Sequence, residues 1–214
     1  MKNKLDICKS VLLALVLLPL CASCAKKAPV FSLPQDQRVG VVGFYQPVAT
    51  VELLAGYLPD VVQPVDAGIL ARLDDDFERV LRDTTGRDYV GTEESYQCVK
   101  TVRENGAPSA FEFWLAVGRC LNVEVVLVPQ LHAWQERLGG ELGAEQPAAV
   151  VMDFFLLDVN NKLLLARSRF DETQKALSAN LLDIGKWMSR GGKWVSAEDL
   201  ALEGMARAAG ELGL

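Results

Sequence analysis

The stretch Val150-Val151-Met152-Asp153-Phe154-Phe155-Leu156-Leu157-Asp158-Val159, followed by Asn160-Asn161-Lys162 and then Leu163-Leu164-Leu165-Ala166-Arg167-Ser168-Arg169-Phe170, decides the fold. Two runs rich in apolar, β-branched and aromatic residues flank an Asn-Asn pair, the pattern of a β-hairpin. Near the turn both faces are apolar, with Phe154, Phe155, Leu156 and Leu157 on one arm and Leu163, Leu164 and Leu165 on the other. A strand with two apolar faces is covered on both sides. A two-residue turn at Asn160-Asn161 would set Asp153 opposite Ser168 and Phe154 opposite Arg167.

The rest of the chain supplies the remaining elements. Val123 to Pro129 reads as a second β-branched strand, continued outward by Leu131 to Arg137 and then a Gly-rich loop over 138–143. Arg38 to Phe44 reads as a first buried strand, parallel to it. Asp66 caps a helix to Asp83 with the stripe Ile69, Leu70, Leu73, Phe77, Val80 and Leu81, while Asp74, Asp75, Glu78, Arg79 and Arg82 cover a solvated face. Asp88 to Gly91 is a short strand, and Pro108 to Leu121 a helix opened by its proline, with Gly118 allowing close approach to the sheet. Tyr45 to Val65 is irregular, and its apolar part, Glu52 to Leu58, packs as a helical turn or is offered to a partner. A third helix is expected from between Thr173 and Ser178, with Leu177, Leu181, Ile184 and Met188 as its stripe and Gly191-Gly192 at its end. Ser196 and Asp199 form a capping box for a last helix lined by Ala201, Met205, Ala208 and Leu212. The expected fold is a single-domain α/β sandwich, order β-α-β-α-β-β-β-α-α, with a mixed sheet and a late antiparallel meander.

The first residues carry a different message. Lys2, Lys4 and Lys9 precede an apolar run from Val11 to Leu20, and Ala22-Ser23 stand directly before Cys24. The run spans about ten residues, against roughly 20 for a membrane-spanning helix, and holds Pro19. This resembles the lipobox of bacterial lipoproteins, with Cys21 where the usual leucine stands. The resemblance implies cleavage before Cys24, lipidation of its thiol with palmitate-type chains, and a membrane anchor; ordinary secretion with cleavage nearby is the alternative. Ala25, rather than Asp, implies by similarity to enterobacterial sorting the periplasmic face of the outer membrane. Residues 1–23 are thus expected as signal peptide, 24–37 as lipidated cysteine and tether, and 38–214 as the periplasmic domain.

The full chain has 22 basic and 28 acidic residues, and half of it is apolar. Removal of residues 1–23 takes three lysines and Asp6, leaving 191 residues with a net charge of −8. That balance argues against nucleic acid and against broad contact with anionic lipid. Cys98 and Cys120 remain in the body: an even pair suits a disulfide in an oxidising periplasm, or two buried thiols in a reducing host.

No constellation for catalysis emerges. His132 is the one histidine, which rules out a multi-histidine metal site; no phosphate-binding or dinucleotide-binding glycine motif is present; no cofactor is expected. Asp74-Asp75-Asp76 do not converge, because neighbours on a helix point about 100° apart. Asp153, Asp158, Asp171 and Glu172 could flank a cleft as acid and base, but capping of turns and pairing with Arg167 and Arg169 account for them better. The densest polar and aromatic group is Trp134, Arg137, Arg167, Arg169, Asp171, Glu172, Arg190 and Trp194, which reads as an interaction surface or as a network joining the sheet edge to the last helices.

Gly118-Arg119-Cys120-Leu121-Asn122-Val123-Glu124-Val125-Val126-Leu127-Val128 resembles the Gly-x-x-Leu-Gly-Ala-Asp-x-Val-Leu-Val turn of a group of envelope proteins, with Asn122-Val123-Glu124 in place of Gly-Ala-Asp. Leu156 to Leu164 is similar to that group's Leu-Val-Asp-x-x-Thr-Gly-x-Leu hairpin. The group includes the curli-export lipoprotein, the amino-terminal domain of TolB and small outer-membrane lipoproteins. The resemblance implies a non-enzymatic module for envelope assembly or transport, with an envelope protein or a second copy as partner. Two other readings stay open: a lipoprotein holding a lipid, glycan or peptide in a pocket lined by Phe44, Leu53, Leu54 and Tyr57, and a hydrolase using the carboxylates.

Overall fold

A computed structural model of the chain describes residues 31–58, 62–140, 145–174 and 195–214. The elements are β1 (Val39–Val41), a 3-10 turn (Thr50–Glu52), α1 (Ala67–Thr85), β2 (Tyr89–Val90), α2 (Thr92–Asn105), α3 (Ala110–Cys120), β3 (Val125–Gln135), β4 (Ala149–Asp158), β5 (Leu163–Thr173) and α4 (Ala197–Glu211). One mixed sheet runs in the order β2-β1-β3-β4-β5. β1 is parallel to both β2 and β3, and β3, β4 and β5 form an antiparallel meander. The α/β class and the late meander are those expected. The signal segment and the third helix with its Leu177 to Met188 stripe lie outside the described residues, as do 141–144 of the Gly-rich loop.

Two cores, one per face, explain why β3 and β4 carry long apolar runs on both faces. On the first face Val125, Leu127 and Leu131 of β3 and Met152, Phe154 and Leu156 of β4 pack against Leu73, Phe77 and Leu81 of α1 and Leu200, Met205 and Ala208 of α4. On the second, Val126, Val128, Phe155 and Leu157 pack against Val102 of α2 and Trp114, Leu115 and Val117 of α3. Alternate strand residues feed opposite cores, as the pleat requires. Gly118 lets α3 lie on the strands: a Cβ there would stand 2.5 Å from Val159 Cγ2. Ser196 and Asp199 cap α4 reciprocally, and Asp66 caps α1. Pro129 sits inside a central strand without breaking it. Its carbonyl accepts from Tyr45 N on the β1 side, where β1 has already ended, so its missing N–H deprives no β4 partner.

Four expectations are corrected. The hairpin register is one residue off: Asp153 faces Arg169, Phe154 faces Ser168 and Phe155 faces Arg167. Leu157 pairs with Leu164 but Leu156 with Ala166, so Leu165 is a bulge that shifts everything beyond it. Leu163 and Leu164 are exposed, because β5 is the sheet edge and, of the two hairpin strands, β4 alone is covered on both sides. The order gains a helix, α2, between β2 and α3. Helix α3 begins at Ala110 with Ser109 as its cap, whose Oγ accepts from Glu112 N at 3.3 Å; Pro108 lies outside it.

The face of α1 expected to be solvated is where α2 docks. Asp74 is buried and accepts from Phe44 N at 2.5 Å and from the Tyr96 hydroxyl of α2. Glu78 accepts from Thr92 N at 2.7 Å and Thr92 Oγ1 at 2.8 Å, holding the first residue of α2. Burial pushes the Asp74 carboxyl above its ordinary range against the pull of these bonds.

Candidate functional site

Beyond the reach of α2 and α3, the second face of the sheet turns polar. Gln130, Asp153 and Arg169 lie in one row across β3, β4 and β5, with Phe155 and Arg167 in the next. Asp153 is fully buried, yet it is the hub. Its Oδ1 accepts from Arg167 Nε at 2.9 Å and its Oδ2 from Arg167 Nη2 at 3.1 Å and Arg169 Nη1 at 2.8 Å. Arg169 Nη2 reaches Asp171 at 3.0 Å. The Arg167 guanidinium also lies 5.4 Å from the Phe155 ring centre, where a cation is attracted to the ring face. His132 is extra in a β3 irregularity between Leu131 and Ala133. Its Nε2 stands 3.0 Å from Asp153 Oδ2, off the line of a hydrogen bond.

Burial alone would raise the Asp153 carboxyl, but His132, Arg167 and Arg169 outweigh it and hold it down at about 2. A carboxylate so neutralised carries no proton at neutral pH and has both oxygens engaged, which suits a fixed ion-pair network and not acid–base work. Asp158 is likewise occupied, accepting from Asn161 N at 2.7 Å and Nδ2 at 2.8 Å in the turn. Among the described residues no three metal-ligating side chains converge.

The eight residues expected to share one surface divide. Arg167, Arg169 and Asp171 gather around Asp153 on the second face. Trp134 packs toward the first-face core and donates from Nε1 to Glu136 at 2.8 Å, and Glu172 falls in its row through Val150. Arg137 bonds the Gly140 carbonyl. Arg190 and Trp194, like Cys24, lie outside the described residues. Cys98 and Cys120 are joined in a disulfide that ties α2 to α3, with their Cα atoms 5.7 Å apart.

Three of the four residues expected to line a pocket go separate ways, and the fourth, Leu53, is half-buried. Phe44 is in the first core, edge-on to Phe77 and Phe154; Leu54 packs on the second; Tyr57 is exposed. A cavity of about 280 Å³ instead opens between the 3-10 turn and the α2–α3 connection, lined by Tyr45, Glu52, Arg103, Ser109, Phe113 and Trp114 among others. Tyr45 and Phe113 both meet the Trp114 ring edge-on, at 5.9 and 4.9 Å. Glu52 accepts from Val48 N at 2.7 Å and Ala49 N at 3.1 Å. Burial raises its carboxyl, but hydrogen bonds from Tyr45 and these two amides, with the charge of Arg103, leave it below the ordinary value. The Tyr45 hydroxyl is pushed up by burial and by Glu52. Sequence reading missed this cavity because its parts are 61 residues apart in the chain (Glu52, then Phe113).

No protein-family model matches the chain, and no curated protein matches it. Among solved structures it is similar to the PelC dodecamer from Paraburkholderia phytofirmans, at 13% identity, covering 87% of this chain and 94% of that one, with a TM-score of 0.47. It is also similar to a lipoprotein from Neisseria meningitidis (14% identity, 73% and 98% covered, TM-score 0.38) and to the LpoB carboxyl-terminal domain from Salmonella enterica (9% identity, 66% and 86% covered, TM-score 0.39). At these scores the likeness carries no statement of function.

Proposed function

We propose that this chain is a lipid-anchored lipoprotein at the periplasmic face of the outer membrane, acting as a non-catalytic interaction or assembly module of the cell envelope. The observation that carries it is the short apolar run ending in Ala22-Ser23-Cys24. A body with a disulfide suits the oxidising compartment that such a signal leads to. The commitment of Asp153 and Asp158 to structural bonds supports a module that binds and does not catalyse. In cells given labelled palmitate, the protein should take up label and Cys24→Ala should not. Crosslinking in intact cells should recover an envelope protein or a second copy; repeated recovery of the protein alone would remove the interaction role. The cavity beside Tyr45 favours a second reading, a lipoprotein that holds a small ligand.

A further inference from the structure

The cavity between the 3-10 turn and the α2–α3 connection is apolar on one side and charged at its rim. Tyr45, Phe113 and Trp114 form the apolar wall. Arg103, in the last turn of α2, is an exposed side chain at the rim and makes no ion pair among the described residues. Its charge acts on Glu52 and Tyr45, but Glu52 is pinned by Val48 N and Ala49 N and does not close a bond with it. A guanidinium left open beside an aromatic wall is a fork for a carboxylate. Ser109 caps α3 at the same rim, so the positive end of that helix adds to the field.

The occupant is further constrained. A volume of about 280 Å³ is at the small end for ligand pockets and takes one side chain, not a lipid tail. A carboxylate beside the cation has no role toward a fatty acid, but the lone pair of Glu52 left over by its two amide donors and the Tyr45 hydroxyl can accept the N–H of a peptide bond. We propose that this cavity binds the carboxyl-terminal residue of a peptide chain, with its apolar side chain among Tyr45, Phe113 and Trp114, its carboxylate on Arg103 and its amide N–H on Glu52. The disulfide holds the two helices that supply Arg103 and the aromatic wall, so the site is formed before the ligand arrives.

This rests on the body being an interaction module and is independent of the anchor. Loss of the palmitate result would leave it standing, and its own failure would leave the anchor standing. The test is isothermal titration of the full-length protein, disulfide formed, with N-acetyl-phenylalanine, its carboxamide, free phenylalanine and hexanoate. The acid should bind one saturable site, and the carboxamide should bind about tenfold or more weaker. Arg103→Gln, at an exposed position, should weaken the acid by a similar factor and leave the carboxamide unchanged; Phe113→Ala should weaken both. Arg207→Gln, on α4, should change neither. Equal binding of acid and carboxamide, indifference to Arg103→Gln, or binding by none of the four overturns the proposal. Tighter binding of hexanoate or of free phenylalanine also overturns it, in favour of a fatty acid or a free amino acid.

Discussion

Asp153 shows how one buried charge is kept in a β-sheet core: three cationic or imidazole groups reach it, two of them as arginines whose own ends stay partly in water. Asp153→Asn removes the charge but keeps the shape. It should cost about 1.5–3 kcal/mol, the range for hydrogen bonds to a charged group. The loss stays below that of a fully buried pair because the guanidiniums can turn to solvent. The pH dependence has a definite sign. The folded carboxyl titrates at about 2, well below the ~4 of an unfolded aspartate, so its contribution is complete above pH ~4 and is lost as pH falls toward 2. Glu211, held low first by the Ser168 hydroxyl and then by Arg207, acts in the same direction; Asp74, raised by burial, opposes both. Denaturant midpoints followed from pH 6 to 2 should fall in the wild type and fall less in Asp153→Asn; parallel curves would refute the ion-pair account. The pairing of Asp153 with Arg167 and Arg169 is legible in the sequence, since all three lie on the hairpin. The bulge at Leu165 that puts Arg169, not Ser168, opposite Asp153 is not, because no residue type in Leu163-Leu164-Leu165 marks which leucine is extra.

Among the elements, α2 is the one that sequence patterning overlooks. Its buried residues are Thr92, Ser95, Cys98 and Val102. The helical spacing is there, but three of the four are small or polar and give little apolar signal. What fixes α2 is tertiary: Glu78 and Asp74 of α1 hold Thr92 and Tyr96, and the Cys98–Cys120 bridge holds it to α3. The long apolar strands and the capped helices α1 and α4 were readable because local pattern and global packing agree there. The bridge closes a loop with a sequence separation of 22, and on the chain-entropy model such a loop contributes about 3 kcal/mol. A Cys98→Ser/Cys120→Ser double variant should therefore lose about that much in urea denaturation. An unchanged midpoint would mean that α1 alone fixes α2. Since Arg103 lies five residues beyond Cys98, the same variant should also weaken N-acetyl-phenylalanine at the cavity.

At the scale of the whole molecule, the body begins before the first strand. Leu33 is buried in the first core and its N–H donates to the Gly213 carbonyl at 2.8 Å. Arg87, itself buried, donates to the carbonyls of Leu33 at 2.9 Å, Pro34 at 2.8 Å and Gln37 at 2.9 Å. Residues 33–37, within the expected tether, are thus strapped to the domain by Gly213 and by Arg87. If Cys24 carries the lipid, eight residues, Ala25 to Ser32, separate it in sequence from the strap, a maximum reach of roughly 30 Å. Under the proposed anchor, the strap would limit how far the domain stands from the membrane, and Arg87 holds the strap. Arg87→Ala should leave the sheet intact but cost about 1.5–3 kcal/mol, because the arginine donates to several carbonyls at once. Its sharper sign is local: trypsin should cut after Arg38, which the wild type protects by docking the segment and by the bond from Arg38 N to Glu124 at 2.7 Å. Equal resistance of variant and wild type at Arg38 would mean that Leu33 and Gly213 hold the strap without Arg87, and that the length of the leash is set by core packing instead.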